Sequence, residues 1–392
     1  MKTIGTCSQS VRQSHGLRSD ATELSHNRCH AISGRAVVFA LSWSLPTVSA
    51  YHIDPVRDPR WERFLLRHPD ASIFHTPGWL EALRRTYGYE SFAVTTSPPG
   101  RELGDGLVLC HVKSWVTGRR LVSVPFADHC EPLVEGPEGL ERLLSSFMRD
   151  VEKHNLNYLE IRPVSAGFEN QSWFSKARTF WLHKLDLRSG LDQIFRSFHK
   201  DCVQRKVQRA HRELVTYDEG GSDMLRSFYH LVLLTRRRHQ LPPQPIAWFR
   251  NLLACLGESA KIRLAFHAGH PVAGIMTLRF RDIVVYKYGC SDPTHHRVGG
   301  MQLLLWRAIQ EAKQEGAREF DLGRSDWDDM GLVTFKDRWG SARSALTYLR
   351  YPAARVHSAR PEWLLQASKR ALVLLPDRFL AATGNLLYKH FG

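Results

Sequence analysis

One order of elements is written twice in this sequence, and that recurrence limits the fold more than any other feature. From Tyr51, segments Pro59 to His68 and Gly78 to Tyr87 read as short helices, with Ser72 to His75 between them as the end of a strand. Three strand-like stretches follow, Phe92 to Thr95, Gly106 to Trp115 and Arg120 to Val124, punctuated by Ser97-Pro98-Pro99-Gly100 and Thr117-Gly118. Glu138 to His154 then has helical spacing, and Tyr158 to Pro163 reads as a buried strand. The order restarts further on. Leu191, Ile194, Phe195, Phe198, Cys202 and Val207 mark one face of a long basic helix reaching Arg212, and Met224 to Arg237 gives a second helix. Strands Ile262 to Ala268, Val272 to Phe280 and Ile283 to Cys290 follow, then a helix Gly300 to Glu315 and a strand Glu319 to Gly323. The pattern predicts a duplicated mixed α/β domain, with halves at 51–186 and 187–352 and a boundary near Asp186 to Gly190.

A chain of 392 residues is long enough for two such domains. Residues 1–50 read as a polar leader or a mis-called start, and the chain from Tyr51 is expected to fold without them. The block Ala36 to Leu45 imitates a signal-peptide core, but Asp20 and Glu23 in the stretch before it fit such a signal poorly. Residues 353–392 form an expected helical tail, apolar and basic around Trp363-Leu364-Leu365 and Tyr388 to Phe391. That tail suits packing on the second half as well as it suits an anionic bilayer surface.

The charge balance narrows the partners. Lys and Arg number 54 against 39 Asp and Glu, a net charge of +15, which favours polyanionic or phosphorylated partners. No zinc-finger, RRM or helix-turn-helix signature accompanies it, so a nucleic-acid module is a rival reading without a motif. The seven cysteines are odd in number and contain no C-x-x-C pair, which points to reduced thiols in the cytoplasm and to no metal site. No apolar run is long enough for a spanning helix.

Several stretches carry a resemblance. Phe320-Asp321-Leu322-Gly323-Arg324-Ser325, then Gly331-Leu332 and Phe335-Lys336-Asp337-Arg338-Trp339-Gly340, resemble the closing signature of FemAB-like acyl and aminoacyl transferases, including the group with a BioF2-like acetyltransferase domain. His75-Thr76-Pro77-Gly78-Trp79, Pro125-Phe126-Ala127-Asp128, the Lys200 to Ala210 helix with Arg205-Lys206, and Tyr286-Lys287-Tyr288-Gly289-Cys290 fit the same family. The resemblance spans about Tyr51 to Pro352 and implies tandem GNAT-like domains, each a mixed sheet flanked by helices. It also implies transfer of an acyl or aminoacyl group to an amine, with a cell-envelope or exopolysaccharide-related acceptor. A CoA-dependent N-acetyltransferase acting on a small amine, and a non-catalytic basic module at a membrane or nucleic acid, stand as alternatives.

The same resemblance assigns site residues. It makes Lys336 the cation beside the reacting centre; the general base is not fixed by it, and Asp321 is chosen from the cluster with Asp326, Asp328 and Asp329, with a substrate carboxylate as the alternative. Substrate contacts are expected at His75, Trp79, Asp128, Lys200, Arg205, Tyr286, Tyr288, Arg324 and Ser325. Arg297, Gly299 and Gly300 supply part of a pyrophosphate loop before a helix, an arrangement that serves equally as a plain glycine turn. Strand alternation puts Tyr286 and Tyr288 on one face and Lys287 on the other. No cofactor is expected to be held permanently; acyl-CoA or aminoacyl-tRNA would arrive as donor, although no long helical hairpin of the tRNA-using members is present. The expected partner is a phosphorylated or lipid-linked acceptor, with peripheral contact at the inner membrane left open and nucleic acid involved only if tRNA is the donor.

Overall fold

A computed structural model describes residues 49–115, 118–153, 156–351 and 376–390 of the chain. Twelve strands form one sheet in the order β1-β2-β3-β4-β5-β12-β6-β11-β10-β9-β8-β7. In the first half, β1 (Tyr51–Ile53), β2 (Glu90–Thr95), β3 (Leu107–Ser114) and β4 (Gly118–Val122) pair antiparallel, and β4 then runs parallel to β5 (Tyr158–Ile161). In the second, β7 (Thr216–Gly220), β8 (Ala260–His267), β9 (His270–Phe280) and β10 (Ile283–Ser291) repeat the antiparallel run, and β10 runs parallel to β11 (Glu319–Asp326). A parallel pair needs a crossover, and each half supplies one helix for it, α3 (Gly136–Lys153) in the first and α8 (Gly300–Gln314) in the second. The repeated order of elements is present in both halves, with β1 and β7, which the sequence pattern did not give, as the first strand of each.

The halves exchange their last strands. β6 (Ser175–Asp186) follows β5 in the chain but pairs with β11, whereas β12 (Ala342–Tyr351), which follows β11, pairs back with β5. β6 and β12 pair with each other and close the middle of the sheet, so the two expected mixed sheets are one continuous sheet. The expected boundary near Asp186 to Gly190 falls just after β6.

Helices α1 (Pro59–Arg67) and α2 (Pro77–Tyr87) start where Asp58 and Thr76 cap them and proline occupies the first turn. With α6 (Leu225–Arg238) and α7 (Ile246–Leu256) they bury one core, in which Trp61, Phe74 and Trp79 of the first half meet Phe228, Trp248 and Leu278 of the second. On the other side of the sheet, α8 covers the second half and α3 covers the first.

Three expectations are corrected. Ser72 to His75 is not a strand end: Ile73–His75 is a 3-10 turn, closed by the Ser72 and His75 side chains. The long helix from Leu191 to Arg212 is broken into α4 (Leu191–Ser197), a π-turn at Lys200–Gln204 and α5 (Arg205–Arg212), because Phe198 and His199 leave helical geometry. Tyr286 and Tyr288 do not share a face. The β9–β10 register slips between them, leaving Lys287 as the extra residue of a bulge, so Tyr286 packs with the α8 core and Tyr288 with the α6–α7 core. The remaining helices are α9 (Met330–Asp337) and α10 (Asp377–Tyr388); α10 stands in the part of the expected tail that is described, the rest of which lies outside the described residues.

Candidate active site

β10 and β11 keep parallel register only over Ile283–Val285 against Glu319–Asp321. Beyond that they separate, because β10 bulges at Lys287 and β11 shifts register between Asp321 and Arg324 with Gly323 at φ 72°. The loop from Ser123 to Glu131 of the first half enters the opening. Arg162 holds it by donating to Val124 O and Ala127 O, and Tyr348 donates to Asp128 O at 2.6 Å. Asp128 Oδ2 lies so close to Gly323 that a side chain there would meet it at 3.1 Å.

Four ionisable residues from three elements converge on this loop. Lys287 Nζ is 3.0 Å from Asp128 Oδ2, and its side chain is only 5% exposed. Burial pulls the Lys287 pKa down and Asp128 opposes that shift. Lys287 also lies over the Phe74 ring at 5.2 Å and the Trp79 ring at 5.7 Å. Arg324 Nε approaches Asp128 Oδ1 at 3.7 Å, with its guanidinium 4.2 Å from the Phe180 ring centroid. Asp321 is fully buried; burial, the largest single influence, would raise its pKa, but the hydrogen bond from His129 Nε2 at 3.0 Å, the nearby His129 and Lys184 charges and the Gly323 N–H together outweigh it and keep the group lowered. The Gly323 N–H donates to the other oxygen of Asp321 at 2.7 Å.

Lys336 completes the group from α9. Its ammonium donates to Gly323 O and Arg324 O, both at 2.8 Å, and the residue is 2% exposed. An ammonium has three N–H donors, so one is left to face the opening. Burial pushes its pKa down to about 8. Asp337 does not hold it, since that carboxylate is bound to His183 and Arg343.

Lys336, Lys287, Asp128 and Arg324 line a cavity of about 590 Å³ together with Arg236 and Arg238 of α6. A second cavity of about 330 Å³ shares Tyr286, Phe335 and Arg238 with it and reaches the first turn of α8 at Gly300 and Met301. Gly299, at φ 81°, packs against the Lys206 carbonyl, which leaves no room for a side chain. The helix start therefore sits where an anion can meet free N–H groups.

The expected residues divide. Asp128, Tyr286, Tyr288, Arg324 and Lys336 line the first cavity, and Gly300 lines the second. Asp321 stands behind them, turned to His129. His75 and Trp79 are in the core: His75 bonds Glu131 O and Ser72, with burial lowering its pKa to about 4, and Trp79 contributes only the ring beneath Lys287. Ser325 is buried with no partner for its hydroxyl. Lys200, Arg205 and Arg297 are exposed and line neither cavity, although Lys206 reaches the second. The sequence reading overlooked Lys287 and His129. A lysine inside the apolar run from Ile283 to Cys290 was the available signal, because such a charge needs a buried partner. A third cavity, about 530 Å³ on the first half beside Phe92, His111 and Phe147, lacks a buried carboxylate–ammonium group.

Residues 196–336 match the acetyltransferase (GNAT) domain family. The crystal structure of FemX is similar at a TM-score of 0.60 and 14% identity, covering 81% of this chain and 100% of that one. A tandem GNAT protein from the clavulanic acid biosynthesis pathway covers 79% of this chain and 100% of its own at 11% identity and a TM-score of 0.49. L-PGS from Bacillus licheniformis covers 80% and 96% at 15% identity and 0.47. No curated protein matches the chain. Among the described residues no helix is long and apolar enough to cross a membrane.

Proposed function

We propose, from the match of residues 196–336 to the acetyltransferase (GNAT) domain family, that the chain forms an amide by moving an acyl or aminoacyl group from an activated carrier to an amine at the β10/β11 opening. The observation that carries the proposal is Lys336. Its buried ammonium, fixed by two main-chain carbonyls, keeps one donor for the oxyanion that forms when the amine attacks the carbonyl carbon. The carbon–nitrogen bond forms, the bond to the carrier breaks, and the amine proton leaves with the departing thiolate or alkoxide. Asp321 has both oxygens engaged, so it is given a positioning role: it fixes His129 and with it the loop that brings Asp128 to Lys287 and Arg324.

The donor's phosphates are placed at the α8 start, beside Lys206 and Arg238. Around the larger cavity five Arg and Lys residues face two aspartates, an excess that suits an anionic acceptor such as a phosphorylated or lipid-linked envelope precursor. A small-molecule amine acetylated from acetyl-CoA is the second reading, and the start of α8, lining the second cavity where an anion can bind, favours it on the donor side. Incubating the pure protein with acyl-CoAs, aminoacyl-tRNAs and amine acceptors of both kinds, with mass spectrometry of the products, tests the proposal. An acylated amine made only with enzyme supports it; no product with any pair would sink it.

A further inference from the structure

Beside the reacting centre, on strands shared by both halves, stands a stack of rings that the reaction does not use. Trp327, just past β11, lies face to face with Trp181 of β6 at 4.0 Å between centroids and 15° between planes. The Arg343 guanidinium of β12 lies 4.5 Å over Trp181. Stacking that close leaves no space for a guanidinium on the same face, so Trp327 and Arg343 take the two faces of Trp181. Trp327 is itself 49% exposed. An indole held in place by a stack but bare on its outer side is a pre-organised apolar platform, with little side-chain freedom left to lose on binding.

The surroundings also point to a ligand. Ala345, Trp181 and Ser325 are register partners across β12, β6 and β11, so they stand abreast on one face of the sheet. Ala345 is exposed although its strand is central in the sheet, which leaves an open trough beside the rings. Ser325 Oγ is buried without a hydrogen-bond partner in the same row, and so is Nδ1 of His183 two residues along β6. Buried polar atoms are normally satisfied, and these two are not.

The charge on the rim selects the class of ligand. Arg343, the guanidinium on the platform's own face, is paired with Asp337 at 3.6 Å, so its charge is already neutralised, whereas the Arg178–Asp326 pair at 3.0 Å lies on the Phe180 face of the sheet. Such a rim offers donors and acceptors side by side without net charge, which suits hydroxyl groups and not phosphates. We propose that the Trp327–Trp181 platform binds the apolar face of a pyranose ring, and that the glycan part of the acceptor rests there. The inference deepens the acyl-transfer reading and depends on it for the word acceptor. Arg324 lines the cavity and Trp327 lies three residues on, about 10 Å at strand rise, so a sugar on the platform can carry its amine to Lys336.

Calorimetric titration of the full chain with neutral tetrasaccharides of N-acetylglucosamine and of glucose, and with uridine monophosphate, tests this without any donor. Saturable binding of a tetrasaccharide is expected, weakened about tenfold or more in Trp327→Ala and largely kept in Trp327→Tyr, with unchanged melting temperatures. The idea is overturned if neither tetrasaccharide binds, if Trp327→Ala binds as tightly as the parent, or if uridine monophosphate alone occupies the platform. Glycan binding without any acyl transfer would refute the reaction and leave the platform standing; transfer without glycan binding would do the reverse.

Discussion

Replacing Lys336 by methionine separates electrostatics from packing more cleanly than any other change in the site. Lys336 is 2% exposed, and burial lowers its pKa from the ordinary 10.5 to about 8. Between those values the unfolded chain binds the proton and the folded one does not, so stability rises with pH through that window. Below about pH 8 the charged lysine costs the fold its full share, ~3 kcal/mol for a displacement of that size. Methionine removes the cost but strands Gly323 O and Arg324 O, two charge-assisted bonds worth ~1.5 to 3 kcal/mol each. The relieved cost offsets much of the loss, and urea denaturation at neutral pH should find Lys336→Met less stable than the parent by no more than ~3 kcal/mol. Turnover should nevertheless fall ~100-fold with little change in KM, the mark of a group that acts on developing charge. Lys336→Arg keeps its charge at every accessible pH, so the ratio of parent to arginine rates should decline as pH rises through about 8. A folded methionine variant with full activity refutes the reasoning, as does a ratio that stays flat across that range.

Other residues give sharper contrasts. Asp128→Ala leaves Lys287 buried without its carboxylate and should cost ~3 to 5 kcal/mol in chemical denaturation, recovered in large part by the Asp128→Asn, Lys287→Met pair; a change below ~1 kcal/mol would contradict the pairing. His75→Ala should destabilise by ~2 to 4 kcal/mol, because a fully buried ring and its bonds to Ser72 and Glu131 are lost, while kcat of the folded fraction holds; a selective rise in KM would instead make His75 a substrate contact. Arg205→Ala, at an exposed residue that pairs with Asp201 and lines neither cavity, should leave the melting temperature and the apparent KM for a phosphorylated acceptor unchanged; a selective rise in KM would instead make Arg205 a substrate contact.

What the sequence disclosed follows from the range of the forces involved. The order of strands and the α3 and α8 crossovers were legible because hydrophobic periodicity is local, and both halves repeat it. The exchange of β6 and β12 was not, since nothing within a strand says which distant edge it will join. Alternation failed at Tyr286 and Tyr288 for a related reason: the bulge at Lys287 serves the opening of β10 from β11, a tertiary need that overrides period two. The helix expected to run to Arg212 broke at Phe198, whose ring is drawn into the cluster with Trp306 and Trp339. Lys336 was found through the family's motif, whereas its two carbonyl partners needed coordinates. Trp181 and Trp327 carry no local signal at all, because β6 and β11 meet only in the folded sheet.

The central claim is that acyl transfer takes place where β10 leaves β11. Hydrogen exchange read by mass spectrometry on the full chain, with and without coenzyme A or deacylated tRNA, tests it most directly. Slower exchange is expected in the end of β10 from Tyr286, in the first turn of α8 at Gly300 to Gln302, and in α9 around Lys336. Protection confined to the first-half cavity beside Phe92, His111 and Phe147, with the second half unchanged, would contradict the account.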